Sequence, residues 1–300
     1  MGHSIAVMNT KGGVGKSTIA MALAEALTIY HGKSVLMIDS DSQASLSCML
    51  LPAPKLRADQ MAGRTVLGYL AQQVLGLDGP DDWRRCVASG VSDVDDTDRL
   101  FLMPSHMKLT LFEREVSTQS KHGSLRRAVA QLLRDATGVV DVVMVDCPPG
   151  LSVLTETWLR ECDFHLTPIK PDFLGLAGLE VLDEFKTLDP EMGFAANLGL
   201  LVNMKDPLSS SDMQYHDYLM SRPELRCFEQ AIPRLLPIQH AARYDEGGRS
   251  YLGKYPGICG DALRVVAAEI IHRMMMDSQS AASRAAQAER RQTAATAAVS

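Results

Sequence analysis

Residues 11 to 18 read Lys-Gly-Gly-Val-Gly-Lys-Ser-Thr, and this short stretch carries the four things that a nucleotide's phosphates require. Gly12, Gly13 and Gly15 let the backbone wrap closely, so that N–H groups around Val14 can converge on an anion at the start of a helix. Lys16 is spaced to reach the β- and γ-phosphates, Ser17 to ligate Mg²⁺, and Thr18 to touch the α-phosphate. The usual pattern opens with glycine six positions before the lysine. Here that position is Thr10, followed by a second lysine, Lys11.

A carboxylate for the metal comes from a different stretch. The apolar run in VVMVDCPPG closes on Asp146, which is how such proteins present an acid to Mg²⁺-bound water. Pro148 and Pro149 then turn the chain out of the sheet. Cys147 has no histidine nearby and reads as a buried, reduced thiol rather than a nucleophile.

These residues need strands to hold them. Short apolar runs (SIAVMN, SVLMID, RLFLMP, DVVMVD, FHLTPI and AANLGLLVN) alternate with segments of helical period near 16–30, 64–75, 122–136, 152–161 and 174–187. Strands apolar on both faces and separated by helices predict a doubly wound α/β domain with a mostly parallel sheet flanked by helices on both faces. Every motif above then lies at a strand end along one sheet edge, where open α/β folds bind ligands. Residues 52–64 and 76–98 read as surface excursions, and Asp93, Asp95, Asp96 and Asp98 as a solvated acidic loop. A single ATPase domain is expected over 1–276, with its last helix at about 260–276. The triple Met274-Met275-Met276 there is read as core filling. Residues 277–300 form a polar tail rich in Ala, Arg and Gln, expected to be flexible.

The loop and its extra lysine resemble the deviant Walker A ATPases that include ParA, Soj and MinD, over roughly residues 3 to 275. That resemblance implies ATP and Mg²⁺ as cofactors and an ATP-dependent homodimer in which Lys11 crosses to the partner's phosphates. VLMIDSDSQAS resembles the family's switch segment, with Ser42 where proline is common. By that resemblance Asp41 orients the attacking water and Asp39 sits near the Mg²⁺ shell; the lesser alternative is that the two acids simply cap the next helix. LGLLVNMKD places Asn203 where the family reads adenine with an amide, and AIPRLLP places Pro233 and Arg234 where the ring is flanked.

Composition narrows the function further. The chain has 300 residues, 46% apolar content and a net charge of −6, enough for one large core without metals or disulfides. Its six cysteines are scattered, with no CxxC pair and no Cys/His cluster at ligand spacing, which indicates neither a zinc site nor a disulfide framework and disfavours cluster-carrying relatives. No apolar run approaches a membrane span and no signal peptide is evident, so a cytoplasmic protein is expected. The tail has three arginines but no apolar face to insert, so membrane binding of the MinD type is disfavoured. The stretch DCPPGLSVLTETWLRECDFHLTPIKPDFLGLAGLEVL is similar to the ParA and Soj branch. That similarity implies partition or positioning of a cargo, non-specific DNA binding and an activating partner protein. Arg222, Arg226, Arg243, Arg249 and Lys254 are the candidate DNA contacts. Residues 206–221 carry no Lys or Arg, which departs from that branch. A purely protein-partnered regulator and a metabolic ligase of the same superfamily are the alternatives. The chain starts at the first strand, so no operator-reading domain is expected before it.

Overall fold

In the computed structural model, residues 2–188 and 193–297 are described, with side chains up to Ser280. Six strands carry the fold: β1 (His3–Val7), β2 (Val35–Asp39), β3 (Leu100–Met103), β4 (Val142–Asp146), β5 (Phe164–Ile169) and β6 (Ala196–Val202). They form one sheet in the order β3-β2-β4-β1-β5-β6, and every pairing is parallel. The expected doubly wound architecture is present.

Alternation along the strands builds two cores. Ile5, Val7, Val35, Met37, Val142 and Met144 face one side, against α1 (Lys16–His31) and α12 (Ile258–Ala297). Ala6, Leu36, Ile38, Val143 and Val145 face the other, against α4 (Val66–Leu75), α6 (His122–Thr137) and α7 (Val153–Glu161). Successive strand side chains point to opposite faces, so only strands apolar at every position can serve both layers. The α1 helix is buried almost continuously from Ile19 to Thr28, because sheet, α12 and neighbouring segments enclose it.

The remaining helices are α2 (Ser45–Leu50), α3 (Ala53–Met61), α5 (Leu109–Thr118), α8 (Phe173–Leu188), α9 (Ser210–Met220), α10 (Leu236–Ala241) and α11 (Tyr251–Lys254). Several sequence expectations change here. Most of the 52–64 excursion is helix α3, whose first turn holds Pro54, where a missing N–H costs nothing. The acidic cluster is not simply solvated: Asp93 is buried and ion-paired to both Arg249 and Lys254. The last helix does not stop near 276 but runs to Ala297, so the stretch from 277 begins as helix; the side chains of 281–300 lie outside the described residues. Of the three methionines only Met274 fills the core, whereas Met275 and Met276 are exposed. Among the described residues no helix is long and apolar enough to cross a membrane.

Candidate nucleotide site

The site is assembled at the C-terminal tips of β1, β4 and β2. Parallel register places Val7 beside Asp146 and Asp146 beside Asp39, so two carboxylates end neighbouring strands at the same level. The loop from Met8 to Gly15 leaves β1 beside Asp146, on the side away from Asp39, and delivers its last residue to the start of α1. Gly13 and Gly15 have φ of 76° and 83°, a left-handed geometry that a side chain would strain. A Cβ on Gly15 would also stand 2.5 Å from the Asn203 amide nitrogen.

Asp146 is fully buried, and neither carboxylate oxygen has a hydrogen-bond partner. The Ser17 hydroxyl is close enough to favour the ionised form, without making a well-formed bond. Burial, and after it the charge of Asp39, hold the Asp146 carboxyl well above the usual carboxylate range. Asp39 is pushed up to about 7, by burial first, against the lowering effect of its bonds from Ser47 and Asp41. Two buried acids side by side prefer to share a proton or a cation. The orphaned Asp146 oxygens and the Ser17 hydroxyl beside them are oxygen donors of the kind that suits Mg²⁺, with the Lys16 ammonium close by to meet phosphate rather than metal.

Asp39 is otherwise engaged. One oxygen accepts from the Ser47 N–H at 2.8 Å and the Ser47 hydroxyl at 2.6 Å, and the other from the Asp41 N–H at 3.2 Å. It therefore holds the first turn of α2, which was the capping alternative read from the sequence. Asp41 keeps more freedom: among the described residues its carboxylate accepts only from the Gln43 N–H at 2.9 Å, while its carbonyl accepts from the Ser105 hydroxyl at 2.6 Å. Ala44 just beyond has φ 52°, a strained conformation for a residue with a side chain.

The loop's other flank is braced from β5. The Asn9 amide donates to the Pro168 carbonyl at 2.7 Å and accepts from the Lys11 N–H at 2.8 Å. Thr10, standing where the usual loop has glycine, donates to the Gly178 carbonyl in α8 at 3.0 Å. The Lys11 ammonium pairs with both oxygens of Asp172 at 3.3 Å, and Lys170 approaches the same carboxylate. Asn203 donates to the Val14 carbonyl at 2.8 Å. Together with Gly15, Thr18, Pro233 and Arg234 it lines one cleft, joined by a parallel bridge between Lys205 and Pro233. Every residue that the sequence nominated for the phosphates, metal or base thus belongs to this one edge of the sheet or the cleft beside it. Cys147 is fully buried, with burial raising its thiol well above the ordinary range.

Sequence reading missed Asn9, Ser47, Ser105 and Asp172. Asn9 had a signal, as a polar residue at the end of an apolar strand. The partners of Ser105 and Asp172 are 64 and 161 positions away, and no local pattern points to them. The DNA candidates fare differently. The Lys254 side chain is wholly buried, 2.7 Å from both Glu25 and Asp93, and cannot reach a surface ligand. Arg249 is held by Asp93, Arg226 by Asp277 and Arg222 by Glu224.

Comparison with known proteins agrees with this geometry. A family model described as an AAA domain matches residues 2–191. The chromosome partitioning protein ParA of Caulobacter vibrioides is 27% identical over 274 residues, covering 90% of this chain and 94% of that protein. Soj, the sporulation initiation inhibitor of Bacillus subtilis, is 27% identical over 244 residues, 80% of this chain and 88% of its own. Among solved structures, apo McdA of Cyanothece superposes with a TM-score of 0.68 at 18% identity, over 91% of this chain and all of that one. That last likeness is one of fold.

Proposed function

The chain belongs to the AAA domain family of P-loop proteins, in the ParA, Soj and MinD group, and from that premise we propose that it is an ATP-driven switch that partitions or positions a cargo. The observation that carries this reading is the pair of orphaned Asp146 oxygens facing a complete phosphate loop. Lys16 and the N–H groups of residues 12 to 15 hold the phosphates, and Ser17 and Asp146 hold Mg²⁺. When bound, the metal neutralises charge developing on the phosphoryl oxygens. Asp39 keeps its neighbour's charge in check and fixes α2, and Asp41 orients the water.

In the single chain Lys11 is occupied by Asp172. Closure of an ATP-bound homodimer moves its ammonium to the phosphates of the second copy. The closed dimer binds DNA non-specifically, an activating partner protein completes the hydrolytic geometry, and hydrolysis resets the switch. Without that partner turnover is slow, since partners of P-loop switches contribute on the order of 10³ to 10⁵-fold.

Mg²⁺-dependent ATP hydrolysis by the purified protein is the first test. Lys16→Ala is expected to lose both nucleotide binding and turnover. Asp41→Ala is expected to bind ATP normally and to lose turnover. Retained turnover in Lys16→Ala would refute the phosphate-loop assignment.

A further inference from the structure

Four of the five basic residues that the sequence offered for DNA are taken up by acids within the chain. Arg243 is not: its guanidinium has no ion pair or hydrogen bond among the described residues. It lines an open groove of about 710 Å³ whose other wall is formed by α2 and α3. Arg57 of α3 lines the same groove and is likewise without a partner among the described residues. Both residues are exposed.

In a chain of net charge −6, the two guanidiniums on facing walls outnumber the one acid of this groove, Glu246. Each offers a fork of donors that matches a phosphate. The groove continues into a second one of about 810 Å³, which shares Arg243, Tyr244 and Glu246 and reaches His240, the acid Asp245, and Arg249, whose charge Asp93 already balances. A long, open channel of this kind suits a polymer backbone better than a small molecule, which favours an enclosing pocket.

We propose that this groove holds the backbone phosphates of duplex DNA, through Arg57 and Arg243. The assignment rests on the DNA-binding reading above and gives it a location, at the junction of the C-terminal third with the helices that follow Asp41. It also gives a route for nucleotide control. Cys48 of α2 and Leu51 just past its end form part of the wall, and the same helix is tied at Ser47 to Asp39 beside the metal site. A shift of the strand tip around bound nucleotide moves one wall relative to the other and changes the spacing of the two arginines. Glu246 on the rim opposes the ligand and limits its affinity.

The test is binding of the intact protein to a short duplex of arbitrary sequence, with Mg²⁺ and a non-hydrolysable ATP analogue, across a salt series. Arg57→Ala and Arg243→Ala should each weaken binding equally for unrelated sequences and reduce the slope of log K against log salt by about 1. Both should bind the analogue as tightly as the unmodified chain and melt at its temperature. Arg57→Lys should restore most of the slope, Arg222→Ala should leave it unchanged, and Glu246→Gln should tighten binding. If the unmodified protein binds DNA while both alanine variants keep its full slope, the groove is the wrong surface and the DNA reading survives. Weaker binding with an unaltered slope would also overturn the assignment, because the arginines would then not be neutralising phosphates. If the unmodified protein binds the analogue but no DNA, the DNA-binding reading itself fails.

Discussion

At the scale of single residues, the site is built on an electrostatic conflict. Asp39 and Asp146 lie side by side in register, both fully buried, and burial raises the carboxyl pKa of each. A bound cation resolves the conflict and its absence leaves it in place, a trade of stability for function. Asp146→Asn should therefore stabilise the nucleotide-free protein, since an amide is neutral without the cost of holding a buried carboxyl protonated beside Asp39. A thermal melt without nucleotide should show a Tm a few degrees higher. The same variant should lose Mg²⁺-dependent hydrolysis by about 10²-fold or more, because several kcal/mol of charge stabilisation go with the metal ligand. An unchanged or lower Tm would mean that the pair is not strained in the free protein.

At the scale of elements, what keeps the loop in place is a set of long-range braces. Asn9 ties it to β5, Thr10 to α8, and Asn203 ties its apex to the end of β6. Behind it, α1 is anchored by Glu25, whose carboxylate receives Lys254, Tyr255 and Ser92. Lys254 also meets Asp93, so this one buried ammonium joins α1, α11 and the 92–97 segment. Buried ion pairs of this type add little net stability when complete but leave uncompensated charge when broken. Lys254→Ala should cost about 3–5 kcal/mol, measured by urea unfolding. A cost within about 0.5 kcal/mol, the range of ordinary surface substitutions, would show that water reaches the two acids and that the cluster is not a clamp.

At the scale of the whole molecule, the single chain holds Lys11 in an ion pair of its own with Asp172. Both side chains are about a quarter exposed, where such pairs contribute roughly 0–1 kcal/mol, so release is cheap once a better anion is offered. Lys11→Ala should bind ATP with the affinity of the unmodified chain yet sediment as a monomer in saturating nucleotide, where the unmodified chain sediments as a dimer. Dimerisation of Lys11→Ala would show that the closed assembly does not depend on a lysine crossing between copies.

The sequence by itself determined what is local. Glycine spacing, the second lysine, apolar strands ending in acids and the alternation of strands with helices are all readable within a window of a few residues, because periodicity and backbone freedom are local properties. The tertiary structure decided what depends on partners far along the chain. It turned Asp39 into a brace for α2 as well as a neighbour of the metal site, and buried Lys254 and Asp93 where composition suggested surface charge. It also paired Lys11 with Asp172 and left Arg57 and Arg243 free across one groove. Whether a charged side chain is solvated or neutralised is set by the field and burial around it, and those are created only when distant segments meet.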